Sequence, residues 1–133
     1  METSLQLLLF KVSDRRYAVP AEAVHAVTSR HAVGQVPCLE LARLLGGRSA
    51  RGGMAIVLRQ GGEPVCALAV DQVLEVDSLP LTGLHALPFL LRQGAGGIFA
   101  VYLPPTEPEA SIPVFDPAAL VADAKRRRGK RAQ

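Results

Sequence analysis

A chain of 133 residues that is 49 % hydrophobic and 20 % charged has enough apolar side chain for a core and is not a disordered polyampholyte. Ten Pro and twelve Gly are too many for a helical bundle of this length and fit short strands joined by frequent turns. The net charge of +3 belongs to one end: Lys125, Arg126, Arg127, Arg128, Lys130 and Arg131 are six of the fifteen basic residues, leaving nine against twelve acidic ones. The body is therefore slightly acidic, and the high pI does not argue that it binds nucleic acid.

Met1 to Ser4 carries no basic segment, and Leu5 to Phe10 is too short for a signal core or a membrane span. The chain reads as soluble and cytoplasmic, without membrane insertion. Leu5 to Val12 reads as a strand, Ser13-Asp14-Arg15-Arg16 as a type I turn that needs no glycine, and Tyr17 to Val19 as the return strand. Pro20 stops that ladder and can open a single helical turn at Ala21. Val24, Ala26 and Thr28 then alternate as a strand does. After a polar gap, Val33 to Leu39 reads as a further strand with Pro37 at its edge. Glu40 to Leu45 reads as a short helix closed by Gly46-Gly47.

Met54 to Arg59 and Pro64 to Val70 flank Gln60-Gly61-Gly62-Glu63, a hairpin signal. The run Leu68 to Val76 is apolar apart from Asp71-Gln72. It then alternates, Val73 and Glu75 to one side, Leu74 and Val76 to the other. A short carboxylate is disfavoured in mid-strand and can bond the backbone two residues on, so Asp71 is expected to mark a structural corner. Leu81, Leu84, Leu87, Leu90 and Leu91 recur at helical spacing, but Pro80 and Pro88 allow only a turn or two. Gly94 to Gly97 reads as a turn, Ile98 to Leu103 and Ser111 to Phe115 as strands. Asp116 caps a helix through about Ala124 with Pro117 in its first turn. Residues 125–133 form a like-charged tail without fixed structure. The tally is an all-β chain with a short C-terminal helix, one domain over residues 1–124.

Catalytic signals are absent. Asp71 has no histidine or second carboxylate at a recognisable spacing, and His25, His31 and His85 are isolated. No serine sits in a nucleophile elbow, and no glycine-rich run precedes a Lys-Ser/Thr helix. Cys38 and Cys66 lie in apolar runs with no CxxC and read as buried, reduced thiols. The expectation is no enzyme, no metal and no cofactor.

Four stretches, in order, resemble the CheW family of chemotaxis coupling proteins. Residues 7–27, L-L-L-F-K-V-S-D-R-R-Y-A-V-P-A-E-A-V-H-A-V, resemble its opening hairpin and V-x-x-V segment. Residues 36–46, V-P-C-L-E-L-A-R-L-L-G, resemble its P-[IV]-[IV]-D-L-x-x-x-L-G element, with Glu40 in the Asp place. Residues 67–76, A-L-A-V-D-Q-V-L-E-V, resemble its V-D-x-V-x-E-V signature, and residues 112–120, I-P-V-F-D-P-A-A-L, its closing strand and helix. The resemblance implies two small SH3-like β-barrel lobes and a non-catalytic adaptor. Such an adaptor links the cytoplasmic tip of a methyl-accepting chemoreceptor to a CheA-type histidine kinase.

The family has a longer stretch between V-x-x-V and the P-[IV]-[IV]-D-L element, ending in N-L-R-G and supplying a strand. Here only Thr28 to Ala32 intervene before Val33, and Arg30 is the nearest match to the N-L-R-G arginine. The first lobe is expected to lack about one strand, a shortening that resembles the divergent FrzB-type members of the Frizzy chemosensory system. Such a member keeps its receptor contact, binds the kinase weakly or not at all, and modulates receptor arrays. A conventional coupling protein, partnering kinase or a paralogue as well, is the alternative. The resemblance places a receptor-binding groove at Val24, Val27, Met54, Ile56, Val73 and Val76. Each alone reads equally as an ordinary core residue. An incomplete lobe also allows a strand-exchanged dimer. A reading from another class is a small β-barrel using Lys125, Arg126, Arg127, Arg128, Lys130 and Arg131 on nucleic acid or an acidic partner. The few aromatics speak against it.

Overall fold

In the computed structural model the described residues are 4–46, 53–87, 97–104, 107 and 110–132, with side chains described as far as 126. Ten strands form two sheets. The strands are β1 (Ser4–Val12), β2 (Arg15–Pro20), β3 (Val24–Ser29), β4 (Cys38–Glu40), β5 (Met54–Gln60), β6 (Glu63–Val70), β7 (Gln72–Pro80), β8 (Leu84–Ala86), β9 (Ile98–Tyr102) and β10 (Ile112–Phe115). A four-residue helix α1 (Leu41–Leu44) follows β4, and α2 (Pro117–Ala132) ends the chain. One sheet has six strands in the order β7-β1-β2-β10-β9-β8, the other four in the order β3-β5-β6-β4. This is the expected two-lobed β fold, and the lobe fed by the shortened connection is the smaller.

The main core lies between the two sheets. Leu8, Phe10 and Val12 of β1 and Tyr17 and Val19 of β2 meet Ile56 and Leu58 of β5 and Cys66, Leu68 and Val70 of β6. Phe115 and, from α2, Leu120, Val121 and Ala124 close it. The other face of β1 is buried too: Leu7 and Leu9 pack with Ala18, Ala100, Tyr102, Ile112 and Val114. A strand covered on both faces reads as an unbroken apolar run, which is why Leu7 to Phe10 shows no alternation.

The outer face of the small sheet carries Ala55, Val57 and Ala67, covered by Val33 and Val36. Residues 33–37 were expected to be strand. They instead cross from the β3 edge to the β4 edge over this face, and small side chains beneath let the crossing segment lie close. The strand itself is Cys38–Glu40, parallel to Ala67–Ala69 of β6, and the Pro37 carbonyl accepts from the Ala67 N–H at 2.8 Å.

Two bulges set which side chains share a face. In the β1–β7 pairing, Leu9 lies opposite Glu75 but Phe10 opposite Val73, so Leu74 is an extra residue. Val73 and Val76 therefore face the same way, towards the other sheet, which corrects the strict alternation read from the sequence. In the β3–β5 pairing, Val24 lies opposite Leu58 and Ala26 opposite Val57, leaving His25 as the extra residue. Val24 and Val27 thereby share the inner face.

Two further differences concern turns and the C-terminus. Ser13 and Asp14 have φ of 52° and 66°, so the β1–β2 connection is a two-residue turn of type I′ rather than type I. It matches Gly61-Gly62, with φ of 61° and 84°, at the expected β5–β6 hairpin. The C-terminal helix starts as expected: the Ala118 N–H donates to Asp116 Oδ1 at 3.0 Å. It continues to Ala132 rather than ending near Ala124. Arg126 pairs with Asp123 one turn back at 3.1 Å. Arg and Lys are good helix formers and suit the negative end of the helix dipole. The short strand β8, with a 3-10 turn at Leu81–Gly83 before it, stands where the leucine spacing suggested helix. Gly94 to Gly96 lie outside the described residues.

Candidate functional site

β3 and β7 are each the outermost strand of their sheet, and both carry apolar side chains that pack against the inter-sheet core. Val24, Val27 and Ile56 stand on the inner face of the small sheet, with Met54 beside them opposite Ser29. Val73 and Val76 stand on the inner face of the large sheet, opposite Phe10 and Leu8. Burial grades outward. Ile56 is fully buried, Val24, Met54 and Val73 are half-buried against the main core, and Val27 and Val76 are 41 % and 56 % exposed. Val24, Met54 and Val73 pack against the one core that holds Ile56, while Val27 and Val76 lie further out on the same two sheet faces. Ile56 itself is part of the main core and has no exposed surface.

Asp71 occupies the single residue between β6 and β7. Its N–H donates to the Lys11 carbonyl at 3.0 Å, and its Oδ2 accepts from the Ser13 N–H at 2.7 Å. The carboxylate thus bonds the β1–β2 turn, far away in sequence. That bond ties the two sheets together beside Val73.

Three features escaped the sequence reading. Leu81 is 43 % exposed just past β7 and adds to the apolar surface of that edge. Glu40 is held between two arginines: Arg30, at the end of β3, pairs with Oε1, and the Arg43 Nε lies 2.9 Å from Oε2. Arg30 was only the nearest match to a family arginine, and its spacing from Glu40 carries no local signature. Finally, a cleft of about 480 Å³ lies elsewhere, lined by Arg15, Arg16, Tyr17, Glu107, Ser111 and Pro113.

Neither thiol is bonded, and they differ in setting. Cys38 is exposed, contrary to expectation, whereas Cys66 is buried in the main core. Burial, with a smaller contribution from nearby Cys38, pushes the Cys66 thiol up to about 11. Among the described residues no three His, Cys, Asp or Glu side chains form a metal-binding group. No helix among them is long and apolar enough to cross a membrane. Lys125 and Arg126 are exposed on α2. The side chains of Arg127, Arg128, Lys130 and Arg131 lie outside the described set.

The architecture has a solved counterpart. The fold is CheW-like. The chain is similar to the scaffolding protein TtCheW of Thermoanaerobacter tengcongensis, with a TM-score of 0.64 and 14 % identity, over 86 % of this chain and 90 % of that one. No protein-family model and no curated protein matches the sequence. At this identity the likeness establishes the shared fold.

Proposed function

We propose that this chain is a non-catalytic chemosensory adaptor whose inter-sheet opening receives a helix from the cytoplasmic tip of a methyl-accepting chemoreceptor. The observation that supports the reading is the graded exposure of these apolar side chains. Val27 and Val76 lie on the inner faces of their sheets and are exposed, while Val24, Met54 and Val73 are half-buried against the main core. An amphipathic helix binds such an opening through side chains one turn apart. The fold shared with a protein described as scaffolding supports the adaptor class. On this reading residues 1–124 carry the activity and act in the cytoplasm at receptor clusters.

Kinase binding is weak or absent on the same proposal, and the protein tunes the composition of receptor arrays. Support comes from the small lobe, where a crossing segment stands in place of a paired strand.

Val76→Asp is the test, because Val76 is exposed enough for the charge to leave the fold intact. Pull-down with a coiled-coil receptor tip should be lost while the thermal midpoint stays within about 2 °C, as for a surface change. Full retention of binding would refute the opening as the site. Tight binding to a CheA-type regulatory domain by the unaltered chain would instead establish the conventional coupling protein. The basic end has its own test: a DNA mobility shift in low salt that truncation at Lys125 abolishes would favour the nucleic-acid reading.

A further inference from the structure

The two sheets present four edge strands, β7 and β8 in one, β3 and β4 in the other. Three carry the features that keep edges from pairing: β7 has Glu75, Asp77 and Pro80, while β8 and β4 are three residues long. β3 is different. Its six residues, V-H-A-V-T-S, contain no Lys, Arg, Asp, Glu or Pro. Among the described residues it pairs only with β5.

The register shows which backbone groups face outward. Arg30, just past β3, donates its N–H to the Gly53 carbonyl just before β5. Thr28 lies opposite Ala55, and Ala26 opposite Val57. In an antiparallel ladder the residues that turn both backbone groups to the neighbour alternate. Ala26, Thr28 and Arg30 therefore face β5. Val27 and Ser29 turn N–H and C=O outward, on a strand whose residues 25, 26, 27 and 29 are exposed.

We propose that β3 is a homodimerisation edge, pairing antiparallel with β3 of a second copy about a two-fold axis at Val27. Val27 then exchanges both backbone hydrogen bonds with Val27 of the second copy, and Ser29 comes opposite His25 of that copy on each side. Every contact is made twice, as a two-fold interface requires. A second copy is the fitting occupant because an uncharged strand meets no repulsion from its own image. The two small sheets join into one, pairing the outward N–H and C=O groups of Val27 and Ser29. This inference is independent of the receptor reading.

The test is light scattering after size exclusion on the full chain over about 1 µM to 1 mM, the range of weak association. The unaltered chain should move from the 14.1 kDa monomer to twice that mass. Val27→Pro removes the outward N–H but no bond to β5, a position where an edge strand accepts proline. It should remain monomeric with an unchanged far-UV spectrum. Val27→Lys, which sets two like charges together at the axis, serves if the proline variant misfolds, and should also be monomeric. Amide exchange at Val27 and Ser29 in the unaltered chain should slow as the dimer forms. A monomer at every concentration, a dimer that survives both substitutions, or a dimer with fast exchange at those amides overturns the proposal.

Discussion

Removing the Asp71 carboxylate is expected to destabilise a turn formed by residues 13 and 14. Ser13 and Asp14 both hold positive φ, and an L-residue in that region costs about 1–2 kcal/mol, less for Asp than for most. The β5–β6 hairpin adopts the same shape with two glycines and without that cost. The β1–β2 turn is held instead by the 2.7 Å bond from the Ser13 N–H to Asp71 Oδ2. A hydrogen bond to a charged group contributes about 1.5–3 kcal/mol, and this one is exposed, so the low end applies. Asp71→Ala should therefore lose about 1.5 kcal/mol in urea unfolding, a drop of about 3–6 °C in Tm for a domain of this size. Asp71→Asn keeps a neutral acceptor and should lose roughly half as much, since charge-assisted bonds are about twice as strong. Exchange of the Ser13 amide should quicken in the alanine variant. Equal losses for Ala and Asn, or a loss below about 0.3 kcal/mol for Ala, would refute the account and leave Asp71 as a corner residue only.

Gly83→Ala should be destabilising by about 1–3 kcal/mol, because its Cβ would stand 2.7 Å from Tyr102 Cε2 and 2.9 Å from the Leu103 carbonyl. The segment cannot easily withdraw, since the Leu103 N–H bonds the Gly83 carbonyl at 2.8 Å; urea midpoints and the near-UV signal of Tyr102 report the outcome. Cys66 predicts a pH dependence. Its thiol ionises near 11 in the folded chain against 9.0 for an ordinary one, so between those values the unfolded chain has lost a proton that the folded chain keeps. Its contribution is neutral below about pH 9 and opposes folding increasingly as pH rises toward 11. Urea stability measured at pH 8 and 10.5 should fall less in Cys66→Ala than in the unaltered chain, whatever the alanine costs at pH 8; parallel slopes would refute it.

Much of the fold was legible because local chemistry agreed with the final arrangement. Gly61-Gly62 sits between apolar runs and makes the turn such pairs favour, and Asp116-Pro117 opens the helix it signals. What escaped depended on partners distant in sequence. The extra residues His25 and Leu74 are ordinary in composition, and only pairing with β5 and β1 makes them bulges. A strict period of two then assigned Val73 and Val76 to opposite faces. Val33 and Val36 have strand-like propensity, yet they cover a sheet face instead of joining an edge. Ile56 was inseparable from its neighbours because an apolar residue on an inner face gives no sign of its depth. The resemblance picked out these apolar side chains as a set; their grading from buried to exposed was not legible.

The position of the main core explains how the small lobe persists with four strands. Had the core lain inside that lobe, a four-stranded sheet could not have closed it off from water. Instead Ile56, Leu58, Cys66, Leu68 and Leu39 point at the other sheet and at α2, where nothing depends on closing the lobe. The far face needs only a thin cover, and its small side chains match the crossing segment that supplies it. That segment is pinned where it leaves β3, because Arg30 reaches Glu40 at the end of β4. A half-buried carboxylate between two guanidinium groups is costly to leave unpaired, so the ion pairs fix the path of the crossing rather than add much stability. The consequence falls on the edge: with the connection drawn across the face, β3 pairs only with β5 among the described residues. A β3 with one paired side among the described residues and a covered outer face thus follow from the same short connection.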